Sequence, residues 1–552
     1  MMKLFKSKML VLSLVTCMFM GGCTANPSDA DVTDVSKTAD VSESGGEDTT
    51  VNEEIVELTV WRPYSSTIIQ SLSDSFSYQE LETKTNVKIT YIHPTVGQEQ
   101  EAFNLMIASG ELPDIIMAAP AYPGGDDKAV ADGIYLRLNE IIDQYSPNYK
   151  RIRELYPEIA KETITDEGNI VSYSSVQIGE EAAWRGLVIR QDWLDKLNLD
   201  IPVTIEDWYN VLTAFKNELN VEIPLIFNGY PNDSGSGFDN SGAIISAYGT
   251  LTEFIQKDGV VSYGFMEEGY KDFLMEMNKW YEEGLLDIDF ATRNNDANVA
   301  LFTSGKAGAI FRNYGDFQND EIAGRTIDPD FRITPVANPL LTEGSTNYLR
   351  MINPHNKGAS GMITTSCENI EAAARFLDYG YSDEGFLLFN YGIEDVAYTW
   401  AEGVFDELSQ PFLPETFRTY TEHPEFTELL TNNPDDYSFS DLAYIYRIDL
   451  APGVRNPMAN SIDDLKKLAM EEWTKDEADW VMPIVSLTDA EKRIESMKMT
   501  DIKAYVLEMS YKFIMGKESL DGFEAYVEQI KKIGIDEVIA VKQAALERYN
   551  SR

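Results

Sequence analysis

From Ile55 onward the chain keeps restarting one pattern: a short alternating or wholly apolar run, a turn bearing glycine or proline, then an amphipathic helix. Strands that alternate in sequence with helices have to bury one face of each against the other, which is the signature of α/β packing. The run IVELTVWRPY (55–64) reads as a strand and leaves Trp61, Arg62 and Tyr64 at its carboxyl end. The run QEQEAFNLMIASGELPDIIMAA predicts a helix with Phe103, Met106 and Ile107 on one face, stopped by Gly110 and Pro113. A short buried strand follows at 115–118, then the loop PAYPGG with Tyr122, and another short helix at 138–145.

The same pattern begins again near residue 186. GLVIRQDWLDKLNL predicts a strand at 187–189 running into a helix, and IPVTIEDWYNVLTAFKNEL a longer helix opened by Thr204 and Asp207 as a capping box. IPLIFNGYPNDSGSGFDNSG gives a strand at 224–227 and a loop holding Asn228, Tyr230, Phe238 and Asp239. A helix at 270–281, a strand at 362–365, a helix at 370–379 and two or three helices after Thr488 complete the series, with no short tandem repeat. A chain of 552 residues is long enough for several compact units at about 150 residues each. Two α/β lobes with the chain crossing between them are expected. Trp193, Trp208, Trp280 and Tyr281 lie on helices and are expected in the core.

The start of the chain speaks of location. Lys3, Lys6 and Lys8 precede an apolar run, 9–20, that ends in MGGC. A basic start with an apolar run of about 12 residues is too short for a comfortable membrane span but suits a signal peptide. MGGC resembles a bacterial lipobox, which makes Cys23 the expected lipidation site. Residues 24–56 are acidic and lack aromatics, so they have little apolar area to offset backbone entropy and read as a disordered tether. Cys367 is then the one thiol left in the mature chain, in a structural-looking setting, and no later run is apolar enough to cross a bilayer.

Charge and scarce residue types exclude several functions. Asp and Glu number 92 against 45 Lys plus Arg, a net charge of -47. Nucleic acid and anionic membranes are bound mostly by neutralising their phosphates, so neither is an expected partner. The chain has 3 histidines, His93, His355 and His423, all in turn-like settings, which leaves little for zinc sites or proton relays. No metal and no cofactor are expected. Ser236 and Ser360 lack the spacing of a nucleophile elbow, and no phosphate-cradling loop ends in Lys-Ser or Lys-Thr. A glycosidase needs two carboxylates about 5–9.5 Å apart, and with so many acids chance pairs carry no information. The chain is not expected to be an enzyme.

A non-catalytic cleft remains. Pyranose rings offer flat C–H faces to aromatic planes and edge hydroxyls to polar side chains. Among the 25 Phe, 29 Tyr and 8 Trp, those just past strands or in loops are the stacking candidates: Trp61, Tyr64, Tyr122, Trp184, Tyr230, Phe238, Tyr314 and Trp400. Arg62, Asn228, Asp239, Arg312 and Arg447 are the polar candidates, with Arg190 also considered. A mostly neutral oligosaccharide of at least two residues is the expected ligand. A peptide or other non-sugar solute is the alternative, and a surface adhesin a third reading.

FNLMIASGELPDII (103–116), GLVIRQDWLDKLNLDIPVTIEDWYNVLTAFK (186–216), MNKWYEEGLLDIDF (277–290) and SGKAGAI (304–310) carry a family likeness. ENIEAAARFLDYGYSDEGFLLFNYGIEDVAYTW (368–400), YKFIMGKESLDGFEAYVEQIKKIGIDEVI (511–539) and QAALERYN (543–550) extend it. Together they resemble the extracellular solute-binding lipoproteins of bacterial carbohydrate importers, family 1 type, in the large subgroup first named LipO. The resemblance implies a two-lobed periplasmic-binding-protein fold with an interlobe cleft and extra C-terminal helices. It implies a protein, expected as a monomer, held by Cys23 on the outer face of the cytoplasmic membrane, that delivers an oligosaccharide to the permease subunits of an ABC importer. The implied layout is a signal peptide (1–22), the tether (23–54), lobe 1 (55–178), lobe 2 (179–352), a return to lobe 1 (353–400), and the rest of lobe 2 with the C-terminal helices (401–552). Some relatives carry a calcium loop where this chain reads FKNELNVEIPL. Glu218, Asn220 and Glu222 alone fall short of the six to eight oxygens, about 2.3–2.6 Å away, that calcium takes.

Overall fold

The computed structural model describes residues 55–65, 69–178, 183–227, 243–394, 448, 451–455 and 464–552. Two four-stranded sheets organise them. The first runs in the order β11-β3-β1-β2, from β1 (Val56–Trp61), β2 (Val87–Ile92), β3 (Ile115–Met117) and β11 (Gly361–Ile363). β1 lies parallel to both β2 and β3, while β11 is antiparallel at the edge. Parallel neighbours need crossover helices, and Phe76–Thr85 and Glu99–Ser109 supply them, the second ending in a left-handed Gly110 (φ 72). Side chains alternate between two faces: Leu58, Val60, Ile115 and Met117 enter one core, and Trp61 and Ile116 enter another with Phe103.

The second sheet has the order β10-β5-β9-β6, from β5 (Arg185–Arg190), β6 (Ile223–Leu225), β9 (Ala307–Asn313) and β10 (Ile333–Val336). β5 is antiparallel to β9 and β10, whereas β6 runs parallel to β9. Leu187 and Ile189 face the larger core and Val188 the smaller one behind it. The helix Ile205–Leu219 packs on the larger core because Ile205, Trp208, Val211, Leu212 and Phe215 fall on one stripe. The Thr204–Asp207 capping box forms as the sequence suggests, and Asn220 (φ 56) closes the helix. Trp208 and Trp280 are fully buried, and Trp193 and Tyr281 pack against the same core from its rim. Three helices follow Thr488, at Asp489–Ile514, Phe523–Ile533 and Ile535–Ser551, and they bury Ile502, Val506, Tyr526 and Val538 in that core.

On the smaller core the helix Asp464–Trp473 lies across β5. Trp473 donates its indole N–H to the Leu187 carbonyl at 3.2 Å. The ring rests on Gly186 so closely that a Cβ there would lie 2.5 Å from it. Glycine is needed here for close approach rather than for a turn.

Among the described residues, three stretches of chain lie side by side at the border of the first body. β4 (Ser175–Gln177) pairs in parallel with β12 (Gly453–Arg455). On its other side β4 meets the returning chain: Gln177 N–H donates to the His355 carbonyl (2.8 Å) and Lys357 N–H to the Ser175 carbonyl (2.8 Å). His355 Nδ1 adds a bond to the Gln177 carbonyl (2.9 Å). One expectation needs correction at this point. The stretch 401–552 was assigned wholly to the second lobe, but Ile448, Ala451 and Val454 pack in the first core. A strand of three residues with a glycine inside it carries no periodicity to announce this return. The remaining two strands, β7 (Phe254–Lys257) and β8 (Val260–Tyr263), form a hairpin on the second body.

Candidate functional site

In open α/β sheets, ligands bind beyond the carboxyl ends of the parallel strands. In the first body that edge carries Trp61, Arg62 and Tyr122. Trp61, expected as an open stacking face, is 3% exposed and packs 5.9 Å from the Phe103 ring. Arg62 turns inward as well, 5% exposed, its guanidinium 5.5 Å from the centre of the Tyr78 ring. The period-two alternation of β1 explains the tryptophan, because the residue after Val60 has to enter the opposite core. Tyr64 remains half-buried with its ring 5.1 Å from that of His93. His93 is itself fixed, donating from Nδ1 to the Arg62 carbonyl (2.9 Å) with Nε2 3.2 Å from Ser71 Oγ. Burial holds this imidazole below its usual range. Tyr122 donates to Asp132 (2.7 Å) and stands edge-on to Tyr135 at 6.1 Å. Desolvation, with Asp132 adding to it, pushes its hydroxyl up to about 12.

The second sheet offers a more open constellation. β9 ends at Asn313, opposite Arg185 at the start of β5, so Trp184 and Tyr314 meet at one edge. Tyr314 N–H donates to the Trp184 carbonyl at 3.2 Å, and Arg185 Nε donates to Asn313 Oδ1 at 3.0 Å. The Arg185 guanidinium lies 4.5 Å from the centre of the Trp184 ring, and the Lys466 ammonium 4.9 Å from that of Tyr314. Trp184, Arg185, Asn313 and Tyr314 are all half-buried, so each keeps a face toward solvent. Burial pushes the Tyr314 hydroxyl up to about 12, with Arg455 of β12 pulling the other way. Tyr314 is therefore a neutral donor and acceptor at ordinary pH. The edge gathers aromatic planes, an amide and cations within a strongly acidic chain.

Arg312, the residue before this edge, points elsewhere. The residue is 8% exposed, and its guanidinium makes paired bonds to Asp320 (2.7 and 2.9 Å), with Asp316 at 3.3 Å. Arg190 is likewise buried against Asp192 and between the Trp193 and Phe331 rings. Asn228, Tyr230, Phe238, Asp239, Trp400, Arg447 and Cys23 lie outside the described residues. β6 runs parallel to β9, with Ile223 opposite Ala307 and Leu225 opposite Ala309. Asn220, weighed as a cation ligand, is the left-handed cap of its helix, and Glu222 lies 3.9 Å from Lys306. Sequence reasoning missed Arg185, Asn313, Arg455 and Lys466. The Trp-Arg dipeptide at 184–185, matching that at 61–62, was a usable signal for the first. The last two reach the edge only through tertiary packing.

A family model described as bacterial extracellular solute-binding protein matches residues 63–385. The chain belongs to that family. The chain is 23% identical over 510 residues to the fructooligosaccharide ABC transporter substrate-binding protein FusA of Streptococcus pneumoniae, covering 86% of this chain and 87% of that one. It is 23% identical over 479 residues to the polygalacturonan/rhamnogalacturonan-binding protein YtcQ of Bacillus subtilis, covering 84% and 86%. Among solved structures, an HMO-binding solute-binding protein associated with an ABC transporter, from Bifidobacterium longum infantis, superposes with a TM-score of 0.72 at 19% identity, covering 90% of this chain and 99% of that one. The fold is thus the two-lobed α/β arrangement of solute-binding proteins, each lobe built on one of the two sheets.

Proposed function

We propose that the protein captures an oligosaccharide between its two lobes and hands it to the permease of an ABC importer, without chemical turnover. The observation that carries this reading is the Trp184–Tyr314 edge of the second lobe, in a chain of the solute-binding family. Two half-buried rings there stand beside amide and cationic donors. Flat apolar faces flanked by donors suit sugar rings, whose hydroxyls each need a partner once they lose water. The ligands for which FusA and YtcQ are named, both carbohydrates, support the class and differ in charge. Trp184, Tyr314, Arg185 and Asn313 are the ligand contacts on this lobe, and Tyr122, Asn228, Tyr230, Phe238 and Asp239 are further contacts. Lipid on Cys23 would hold the protein, as a monomer, at the outer face of the cytoplasmic membrane. The basic start and MGGC support that anchor, and Cys23→Ala is expected to release the protein from membranes.

Calorimetry against a glycan panel tests the class. Binding to one glycan, weakened at least about tenfold, near 1.4 kcal/mol, by Trp184→Ala, is the expected result. A protein that binds peptides and ignores every glycan would overturn the reading.

A further inference from the structure

The C-terminal helices belong to the second lobe by packing, yet their ends reach the first. Asp166, in the turn after the helix Pro157–Glu162, accepts from Arg548 Nε at 2.7 Å and from Arg552 Nε at 2.9 Å. Arg552 also donates to the Lys161 carbonyl at 3.4 Å, and the Lys161 ammonium sits 4.3 Å from the centre of the Tyr549 ring. Asp166 and Lys161 lie on the chain between Ile159 and Ile170, both in the first core. The Arg552 and Asp166 side chains are only 6% and 16% exposed, so salt and water screen this cluster less than an ordinary surface pair.

The arginines are aimed before they meet Asp166. Arg548 is held within the second lobe by paired bonds to Glu491 (2.9 and 2.7 Å) and one to the Ser486 carbonyl (3.0 Å). Glu491 in turn closes the capping box that starts the helix Asp489–Ile514. A second approach lies at the same helix end. A Cβ on Gly124 of the first lobe would lie 2.9 Å from the Asp489 carboxylate, and one on Gly125 3.2 Å from the Lys492 ammonium.

We propose that this cluster is an ion-pair latch that holds the two lobes in one relative arrangement, independently of any solute. A contact made by charged side chains away from the covalent connections favours the interlobe arrangement in which it forms. Asp166 on one side and Arg548 and Arg552 on the other join lobe to lobe, and Glu491 positions Arg548. The inference does not rest on what the cleft binds.

Spin labels at Glu101→Cys in the first lobe and Glu206→Cys in the second read the interlobe distance in solute-free protein, with Cys17 and Cys23 changed to serine. Burial pushes the Cys367 thiol up to about 12, which keeps it from labelling. Asp166→Asn and Arg552→Gln are each expected to shift or broaden the distance distribution. Glu495→Gln removes the Lys542 ion pair (2.7 Å) between the same two helices within one lobe, and is expected to leave the distribution as in the parent. Melting curves establish that each variant is folded. Parent-like distributions in both latch variants would overturn the proposal, as would an equal change in Glu495→Gln.

Discussion

Two tryptophans, each followed by arginine, stand at strand ends in the two lobes, and their surroundings give them opposite roles. Trp61 is sealed against Phe103, whereas Trp184 keeps a face open with Arg185 over it. Truncating a buried tryptophan removes its transfer energy and leaves a cavity, together costing about 3–5 kcal/mol. Denaturant titration of Trp61→Ala is expected to show a loss of that size, while Trp184→Ala leaves stability within about 1 kcal/mol of the parent. Asp476 gives a second residue-scale expectation. Burial pushes its carboxyl up to about 6, against the opposing pull of Asn338 and Arg350, and Asn347 Nδ2 donates to it at 3.2 Å. A carboxyl raised in the folded state contributes stability below its unfolded value, near 4, and that contribution is lost as pH rises through about 6. The loss is at most about 3 kcal/mol. Denaturation midpoints of Asp476→Asn across this window should therefore fall less with rising pH than those of the parent.

Secondary elements are held together by contacts that a single methyl would disturb. Gly186 on β5 lets the Trp473 ring lie flat on the strand, 2.5 Å from where a Cβ would be. Overpacking of this kind costs about 1–3 kcal/mol, so thermal melting of Gly186→Ala should show a lowered midpoint, and the Trp473 fluorescence should shift as the indole loses its Leu187 partner. The elements themselves were legible where a local rule decides them. A period-two run marked β1, a short apolar run marked β5, Gly110 marked a helix end, and Thr204 with Asp207 marked a helix start. What stayed hidden depended on partners far along the chain. β12 is only three residues long and is a strand because β4 lies beside it. The burial of Trp61 depended on Phe103 reaching it from a crossover helix. Lys466 and Arg455 come to Tyr314 from more than 140 residues away, at a distance where no spacing rule applies. The aromatic part of the candidate edge was thus readable from Trp184 and Tyr314, whereas Lys466 and Arg455 were not.

At the scale of the whole molecule, two lobes with separate cores can change their relative arrangement with little disturbance of either core. A solute that touches both lobes binds one arrangement better than others and shifts the population toward it. Small-angle scattering with saturating solute is expected to give a smaller radius of gyration than without. An unchanged radius, with occupancy established by calorimetry, would mean that capture proceeds without closure.

The pairing of β4 with β12 also sets an order in time. Ser175 and Gly453 are neighbours in the sheet but enter the growing chain some 280 residues apart. While the nascent chain lacks its last hundred residues, β4 has an unsatisfied edge and the first core lacks Ile448, Ala451 and Val454. Contacts so distant in sequence form late and slowly, because loop closure precedes any gain from them. Neither lobe is a contiguous stretch that completes itself at the ribosome. The final packing of both lobes therefore waits for the carboxyl-terminal part of the chain, which holds Val454 of the first core and Ile502, Val506 and Val538 of the second.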